Sequence, residues 1–164
     1  MLAKIVSGGQ TGVDRAALDA ALAAAIELGG WCPRGRRAED GRIPDRYPLV
    51  ETPGADHAQR TEWNVRDSDA TLILVRGALE GGTALTAELA RALGRPLRIV
   101  RLDEPHVADD PGSATDAAAV WIARHGIATL NVAGPRKSQR PGIGREAREF
   151  VGRLIAAAGR DDSA

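Results

Sequence analysis

The stretch that decides the fold is Leu2-Ala3-Lys4-Ile5-Val6-Ser7-Gly8-Gly9-Gln10-Thr11-Gly12-Val13-Asp14-Arg15. Residues 2–6 are mostly apolar and predict a short buried strand, whereas residues 13–28 repeat apolar side chains at helical spacing and predict a helix. The glycine-rich turn between them lets backbone N–H groups approach an anion at the positive end of the helix dipole. This stretch therefore predicts a strand, an anion-binding turn and a helix, in that order.

The same alternation of strand-like and helix-like runs continues along the chain. The predicted strands are residues 2–6, 30–32, 71–75, 97–102 and 129–132. The predicted helices are residues 13–28, 57–67, 83–93, 114–125 and 144–158. Such alternation is typical of an α/β domain, here a parallel sheet of about five strands with helices on both faces. We expect one domain over residues 1–158 and a flexible C-terminal tail over residues 159–164.

Length and charge exclude several classes of protein. The chain has 164 residues, with 22 basic and 22 acidic side chains, so no overall charge favours nucleic acid or a membrane surface. Cys32 is the single cysteine, which excludes an internal disulfide. With three scattered histidines, we expect no direct metal site. There is no apolar run long enough to span a membrane and no signal peptide, so a cytoplasmic location is expected.

Two further turns follow predicted strands and resemble the first in composition. Gly81-Gly82-Thr83 comes after the strand at 71–75 and opens a helix. Gly134-Pro135-Arg136-Lys137-Ser138 comes after the strand at 129–132 and offers several donors suited to an anion. The carboxyl ends of parallel strands share one sheet edge, where such folds bind ligands, so the three turns are expected to line one crevice.

The first turn matches neither of the common nucleotide-binding signatures. Its glycines lack the G-x-G-x-x-G spacing of a dinucleotide site, and no Lys-Ser/Thr pair follows as in a Walker loop. Thr11 is able to cap the helix and to donate to a ligand oxygen. Asp14 would repel a phosphate, so it either caps the helix or orients Arg15.

Residues 34–55 interrupt the regular pattern. They contain several prolines and charges but no hydrophobic period, and long loops inside a compact domain are usually functional or disordered. The segment begins with a basic cluster of Arg34, Arg36 and Arg37. Because it follows a predicted strand, we expect it to form a lid or wall of the crevice that contacts an anionic ligand.

Candidates for catalysis are few. Glu88 is the one acid well placed for proton transfer, about two helical turns after the second glycine pair. Asn64 is a candidate ligand-binding or capping residue, and His57 lies far from the glycine turns in sequence. No Ser-His-Asp arrangement at interpretable spacing is present. The sequence therefore favours a binding protein over an enzyme.

Several long strings, in order from about residue 4 to residue 154, closely resemble the molybdenum carrier family, the molybdenum cofactor carrier proteins. They are residues 8–19 (GGQTGVDRAALD), 30–41 (GWCPRGRRAEDG), 60–74 (RTEWNVRDSDATLIL), 81–86 (GGTALT) and 131–136 (NVAGPR). This family belongs to a Rossmann-like group that includes the lysine decarboxylase-like phosphoribohydrolases. The resemblance implies a Rossmann-like fold, a homodimer or homotetramer, and a carrier that protects molybdenum cofactor and delivers it to molybdoenzymes.

Molybdenum cofactor, a flat pterin with a terminal phosphate and an anionic metal-dithiolene head, would need several anion-binding groups. The resemblance and the three turns together nominate residues that would bind this ligand, or molybdate and other oxyanions. These residues are Gly8, Gly9, Gln10, Thr11, Gly12, Arg15, Arg34, Arg37, Asn64, Gly81, Gly82, Thr83, Gly134, Arg136 and Ser138.

Two alternatives remain open at this point. Related phosphoribohydrolases, which act on nucleoside monophosphates, carry a Pro-Gly-Gly-x-Gly-Thr-x-x-Glu motif. Residues 80–88 (EGGTALTAE) only approximate it, with Glu80 in place of the proline and Glu88 as the would-be catalytic acid. The second alternative is a sensor of a nucleotide-derived ligand, which would need the same phosphate pocket without catalysis.

Overall fold

The computed structural model describes residues 1–159. The strands in this part are β1 (Lys4–Val6), β2 (Glu27–Gly29), β3 (Trp31–Cys32), β4 (Arg37–Ala38), β5 (Gly41–Arg42), β6 (Val50–Glu51), β7 (Ala70–Val75), β8 (Leu97–Arg101) and β9 (Thr129–Ala133). The helices are α1 (Val13–Ala23), α2 (His57–Arg66), α3 (Gly81–Ala92), α4 (Pro105–Asp109), α5 (Pro111–Arg124) and α6 (Ile143–Ala158). Gly159 ends α6, and the rest of the predicted tail lies outside the described residues.

Five strands form one parallel sheet in the order β2-β1-β9-β7-β8. Every neighbouring pair is parallel, as predicted. The last strand in the sequence, β9, lies in the middle of the sheet between β1 and β7. The turns after β1, β9 and β7 therefore follow three adjacent strands and meet at one edge.

Helices cover both faces of this sheet, which confirms the predicted architecture. Leu72 and Leu74 of β7 belong to the main core with residues of α1, α5 and α6. The alternate residues, Ile73 and Val75, pack instead with Ala87 of α3 on the opposite face. Helix α2 contacts α3 and completes this second layer.

The second strand of the sheet was predicted at the wrong place. Helix α1 ends at Ala23 rather than at residue 28, because Ala25 takes a left-handed backbone with φ of 55°. That turn frees Glu27–Gly29 to form the sheet strand β2. The residues predicted as the strand, 30–32, instead contribute Trp31–Cys32 to a separate small sheet with β6. A non-glycine residue at a left-handed position gives no sequence signal, which explains the error.

The other helices begin or end near their predicted positions. Helix α3 begins at Gly81, two residues earlier than predicted, so the glycine pair forms its first turn. Helix α5 begins at Pro111, before the predicted residue 114, and the short helix α4 was not predicted.

The segment predicted as an irregular loop, residues 34–55, is ordered around Arg36. Arg36 is buried, and its guanidinium donates to the carbonyls of Ile43 (3.2 Å), Leu49 (3.1 Å), Pro44 (2.9 Å) and Tyr47 (2.8 Å). The short strands β4 and β5 pair antiparallel as a hairpin within it. Arg36 therefore holds the segment together and does not face a ligand, in contrast to the expectation for the basic cluster.

The helices of the described part are short or carry many polar residues. Over residues 1–159, none combines enough length with enough apolar character to cross a bilayer.

Candidate functional site

A cleft lies at the carboxyl edge of the sheet, where the turns after β1, β7 and β9 meet. Its inner cavity has a volume of about 220 Å³. The inner cavity is lined by Gln10, Asp14, His57, Arg60, Thr61, Gly81, Gly82, Thr83, Thr86, Ala133, Gly134, Arg136 and Gln139. Helix α2 supplies the wall opposite the turns. Each of the three turns therefore contributes to one crevice, the first through Gln10 and not through its glycines.

A larger outer cavity of about 540 Å³ adjoins the inner one. Gln10, His57 and Arg136 line both cavities. The β4–β5 hairpin forms much of the outer wall and contributes Arg37 and Arg42. Together the two cavities form an elongated cleft with basic side chains toward its outer end.

The N-terminus of α3 opens into the inner cavity. Gly81 and Gly82 are its first residues, both are exposed, and Glu80 provides no side-chain cap. The N–H groups at the start of a helix lack intrahelical partners, and the helix dipole adds positive potential there. A Cβ built at Gly82 would meet nothing within 4 Å, so open space adjoins this backbone. The geometry suits an oxyanion at this position.

The N-terminus of α1 differs, because the turn after β9 covers it. The N–H of Val13 donates to the carbonyl of Pro135 at 3.2 Å. A Cβ at Gly12 would collide with the same Pro135 carbonyl, and one at Gly134 would collide with Val13 and with the Leu74 carbonyl. Gly12 and Gly134 thus allow close backbone packing between the turns, and of the two only Gly134 also borders the inner cavity.

The first two glycines of the opening turn also have packing roles. A Cβ at Gly8 would collide with the Arg60 guanidinium. A Cβ at Gly9, where φ is 79°, would lie 2.6 Å from Leu49 and 3.0 Å from Ile43. Gly8 makes room for Arg60, and Gly9 lets residues 43–49 pack against the turn.

Asp14 and Arg60 form a buried ion pair in the wall of the inner cavity. An Arg60 Nη atom lies 3.4 Å from an Asp14 carboxylate oxygen, and the side chains are 15% and 5% exposed. Burial raises the pKa of Asp14, whereas Arg60 and the N–H of Gln10 oppose that rise. The Arg60 Nε is buried without a hydrogen-bond partner among the described residues. Arg60 therefore retains hydrogen-bonding capacity beside the cavity.

Positive charge concentrates around His57, where the two cavities meet. The pKa of His57 is lowered by burial, and the guanidinium groups of Arg60, Arg136 and Arg37 lower it further. These effects favour the neutral form of His57, and the positive field at this point comes from arginines. Such a field favours an anionic ligand.

The tip of the β4–β5 hairpin places a carboxylate against the first and third turns. Glu39 accepts hydrogen bonds from the hydroxyl of Thr11, the N–H of Ser138 (3.1 Å) and the hydroxyl of Ser138 (2.5 Å). Arg136 lies 3.5 Å away. Hydrogen bonds from Ser138 and Thr11 lower the pKa of Glu39. The donors nominated as oxyanion ligands at Thr11 and Ser138 thus contact a carboxylate of the chain itself.

The remaining nominated residues have varied positions. Arg15 forms an ion pair with Asp40 (2.7 Å) and donates to the carbonyl of Gly9 (3.1 Å). Asn64 bonds the backbone N–H and carbonyl of Trp31 (2.7 and 2.9 Å). Arg34 is exposed and does not line either cavity. Arg15 and Asn64 therefore hold structural elements in place.

Glu88, the acid nominated for proton transfer, is exposed and does not line the cleft. Thr86 is the α3 residue that lines the inner cavity one turn after the glycine pair, and its hydroxyl donates to the carbonyl of Gly82 at 2.7 Å. The structure places Glu88 outside both cavities, because counting helical turns did not give the face on which it lies.

Sequence reasoning missed several residues that line the cleft. His57, Arg60 and Thr61 reach it from α2, and Gln139 follows the third turn. A signal for Arg60 and Thr61 existed, since they begin one of the strings that resemble the molybdenum carrier family. Within residues 1–159, no group of three or more His, Cys, Asp or Glu side chains is arranged to hold a metal ion.

Comparisons with known proteins are consistent with this fold. The sequence model described as the circularly permutated YpsA SLOG family matches residues 5–155. A crystal structure titled as a putative molybdenum carrier protein, from Syntrophus aciditrophicus SB, is 42% identical, with a TM-score of 0.86 over 97% of this chain and 96% of that one. No curated protein matches significantly.

These matches confirm the resemblance and the Rossmann-like fold. Together with the elongated cleft, they indicate a ligand-binding protein. The match to the family model spans nearly the whole chain, and the chain therefore belongs to the circularly permutated YpsA SLOG family.

Proposed function

We propose that the cleft binds molybdenum cofactor as cargo and that the protein is a carrier for it. The observation that carries this proposal is the uncapped N-terminus of α3, which opens into a cavity that continues into a larger, basic one. A similar protein, 42% identical, is titled a putative molybdenum carrier, and this supports the choice of ligand.

The elongated cleft suits a ligand with two anionic ends. We place the terminal phosphate at Gly81 and Gly82, where free N–H groups and the helix dipole favour it. The metal-dithiolene head would then lie in the outer cavity near Arg37 and Arg136. The flat pterin would cross the junction beside His57 and Gln10.

The charges around the inner cavity favour a phosphate despite the presence of a carboxylate. Asp14 is the one acidic residue that lines this cavity, and Arg60 is paired with it. Glu80, which directly precedes α3, is likewise paired with Arg140 at 3.6 Å, so little net negative charge remains beside the α3 N-terminus. The Arg60 Nε remains as a donor toward a bound group, whereas the Thr61 hydroxyl already donates to the carbonyl of His57 at 2.9 Å.

The same cleft could serve a phosphoribohydrolase or a sensor of a nucleotide-derived ligand. The hydrolase hypothesis assigned proton transfer to Glu88, which does not line either cavity. We therefore keep the carrier as the proposal. Glu88→Gln should leave cofactor binding unchanged, and base release from nucleoside monophosphates should be absent in both the wild type and this variant.

The direct test adds molybdenum cofactor, released without air from a molybdoenzyme, to the purified protein. Dialysis should retain about one pterin per chain in the wild type and far less in Gly82→Val, whose side chain enters the open space beside α3. A matched control is Gly152→Val, another helical glycine whose Cβ would meet open space and which lines neither cavity. Retention by Gly82→Val equal to that of the wild type would contradict the placement of the phosphate.

Delivery of the cofactor to molybdoenzymes and assembly into a homodimer or homotetramer remain proposals that accompany the carrier. Both are implied by the resemblance to the molybdenum carrier family. A cytoplasmic location, where molybdoenzymes would receive the cofactor, is part of the same proposal.

A further inference from the structure

We propose that Thr11, Ser138 and Arg136 form an oxyanion site whose resting occupant is the carboxylate of Glu39. A tetrahedral oxyanion, either free or as a group of the bound ligand, would replace that carboxylate and release the β4–β5 hairpin. The inference deepens the proposed function, because the site borders the same cleft. Its test with inorganic ions does not depend on a pterin.

The donors are arranged as they would be for a bound anion. Both oxygens of Glu39 are used: Thr11 and the Ser138 N–H reach Oε1, and the Ser138 hydroxyl reaches Oε2 at 2.5 Å. Arg136 adds charge, with its Nε 3.5 Å from Oε2. Hydroxyl, backbone N–H and guanidinium donors that converge on a negative group are the donor set of phosphate sites in general.

The backbone behind these donors is fixed independently of Glu39. The N–H of Lys137 donates to the Thr11 hydroxyl oxygen at 3.2 Å and thereby orients its proton toward the carboxylate. The N–H of Val13 holds the carbonyl of Pro135, which ties the first turn to the third. The site would therefore persist after the carboxylate leaves.

The tip of the hairpin that carries Glu39 has few other attachments, while Ala38 in β4 packs against the small core of Ile43, Tyr47 and Leu49. Each of its strands has two residues, and glycines with φ of 86° (Gly35) and 111° (Gly41) flank its first strand and its tip. Besides Glu39, the tip is held by the Asp40–Arg15 pair and by the Glu39 N–H, which donates to the Gln10 side chain at 2.9 Å. An anion that replaces Glu39 would therefore disrupt a small set of contacts.

Movement of the hairpin would change the outer cavity directly, because Arg37, Ala38 and Gly41 line it. Arg136 and Gln10 contact the hairpin tip and also line both cavities. Exchange of Glu39 for an oxyanion would thus couple ligand binding to the opening of the cleft. Glu39 acts as a tethered competitor for this site. The apparent affinity for an oxyanion equals the intrinsic affinity multiplied by the fraction of time that Glu39 leaves the site free.

Equilibrium dialysis against inorganic phosphate and, separately, molybdate tests the exchange. Glu39→Gln removes the competing charge, so we expect about tenfold tighter binding than in the wild type. Glu88→Gln is the matched control, with the same change outside the cleft and no expected effect. Adding Ser138→Ala to Glu39→Gln should abolish the gain. Equal affinity in the wild type and Glu39→Gln, or a gain that survives Ser138→Ala, would overturn the inference.

Hydrogen exchange provides a second readout. In the wild type, phosphate should speed amide exchange in residues 36–43 and leave the amides of β7 unchanged. Slower or unchanged hairpin exchange with phosphate bound would contradict the release of Glu39. If inorganic oxyanions exchange with Glu39 but the protein retains no pterin, the inference holds and the carrier proposal fails. If pterin is retained while Glu39→Gln gains no affinity for oxyanions, the carrier proposal holds and the inference fails.

Discussion

The guanidinium of Arg60 lies 3.4 Å from the carboxylate of Asp14 and occupies the space above Gly8. This contact joins α2 to the first turn of α1 across the inner cavity. It neutralises a carboxylate that would otherwise repel a phosphate, and it explains why a glycine stands at position 8. A pair of residues far apart in sequence therefore determines the electrostatics of the cleft.

Replacing Arg60 with methionine should affect stability and binding together. The change leaves Asp14 buried without its cation and should cost about 3 kcal/mol of unfolding free energy. Adding Asp14→Asn removes the unpaired buried charge, so the double variant should regain much of that stability. Phosphate-ligand binding should stay weak in both. Urea unfolding and dialysis measure the two effects, and a double variant that binds like the wild type would contradict the role of Arg60.

Gly82, which borders the inner cavity, and Gly9, which lines neither cavity, should respond differently to the same substitution. Gly82→Val should change the free energy of unfolding by no more than about 0.5 kcal/mol, because its side chain meets open space. Gly9→Val should cost about 2 kcal/mol or more, because it collides with Leu49 and Ile43 at a left-handed position. Denaturant titrations of the two variants and the wild type measure these changes in the free energy of unfolding. Similar losses in both variants would mean that the two glycines share one role.

Arg36 should be essential for the order of residues 43–49. Arg36→Met removes four charged hydrogen bonds to backbone carbonyls and should cost about 3 kcal/mol or more. Arg34→Met, at an exposed position in the same cluster, should change stability by less than about 0.5 kcal/mol. Urea unfolding of the two variants checks this. Equal effects would show that the basic cluster acts as a unit.

Acid should loosen the hairpin. Hydrogen bonds from Ser138 and Thr11 lower the pKa of Glu39, and the bond from Arg15 lowers that of Asp40. A lowered folded-state pKa contributes stability that is present above the ordinary carboxyl pKa and is lost as pH falls through the lowered value. Amide exchange in residues 36–43, corrected for intrinsic rates, should therefore stay slow at pH 5–7 and accelerate below about pH 4. In Glu39→Gln, this dependence should shrink.

The sheet was predictable from sequence because its central strands are short runs rich in Leu, Ile and Val. Residues 71–75 and 129–132 lie within the observed strands β7 and β9, which have both faces covered by helices. Strand β2 was missed because Ala25 ends α1 at a left-handed position without a glycine.

The candidate site was predictable in part. The three turns were expected at one sheet edge because parallel strands place their carboxyl ends there. His57 and Arg60 were not expected to line the cleft, because the crossover that brings α2 over these turns is a property of the whole topology. Glu39 was also missed, because a carboxylate that fills an oxyanion site looks like any surface acid in sequence.

The most direct measurement is made on protein purified without air from a host that makes molybdenum cofactor. The protein is denatured, the extract is oxidised, and fluorescent pterin and molybdenum are quantified for the wild type and Gly82→Val. We expect both in about equal molar amounts, close to one per chain, in the wild type, and little of either in Gly82→Val. Absence of pterin and molybdenum from the wild type, with no uptake when the cofactor is added, would contradict the carrier.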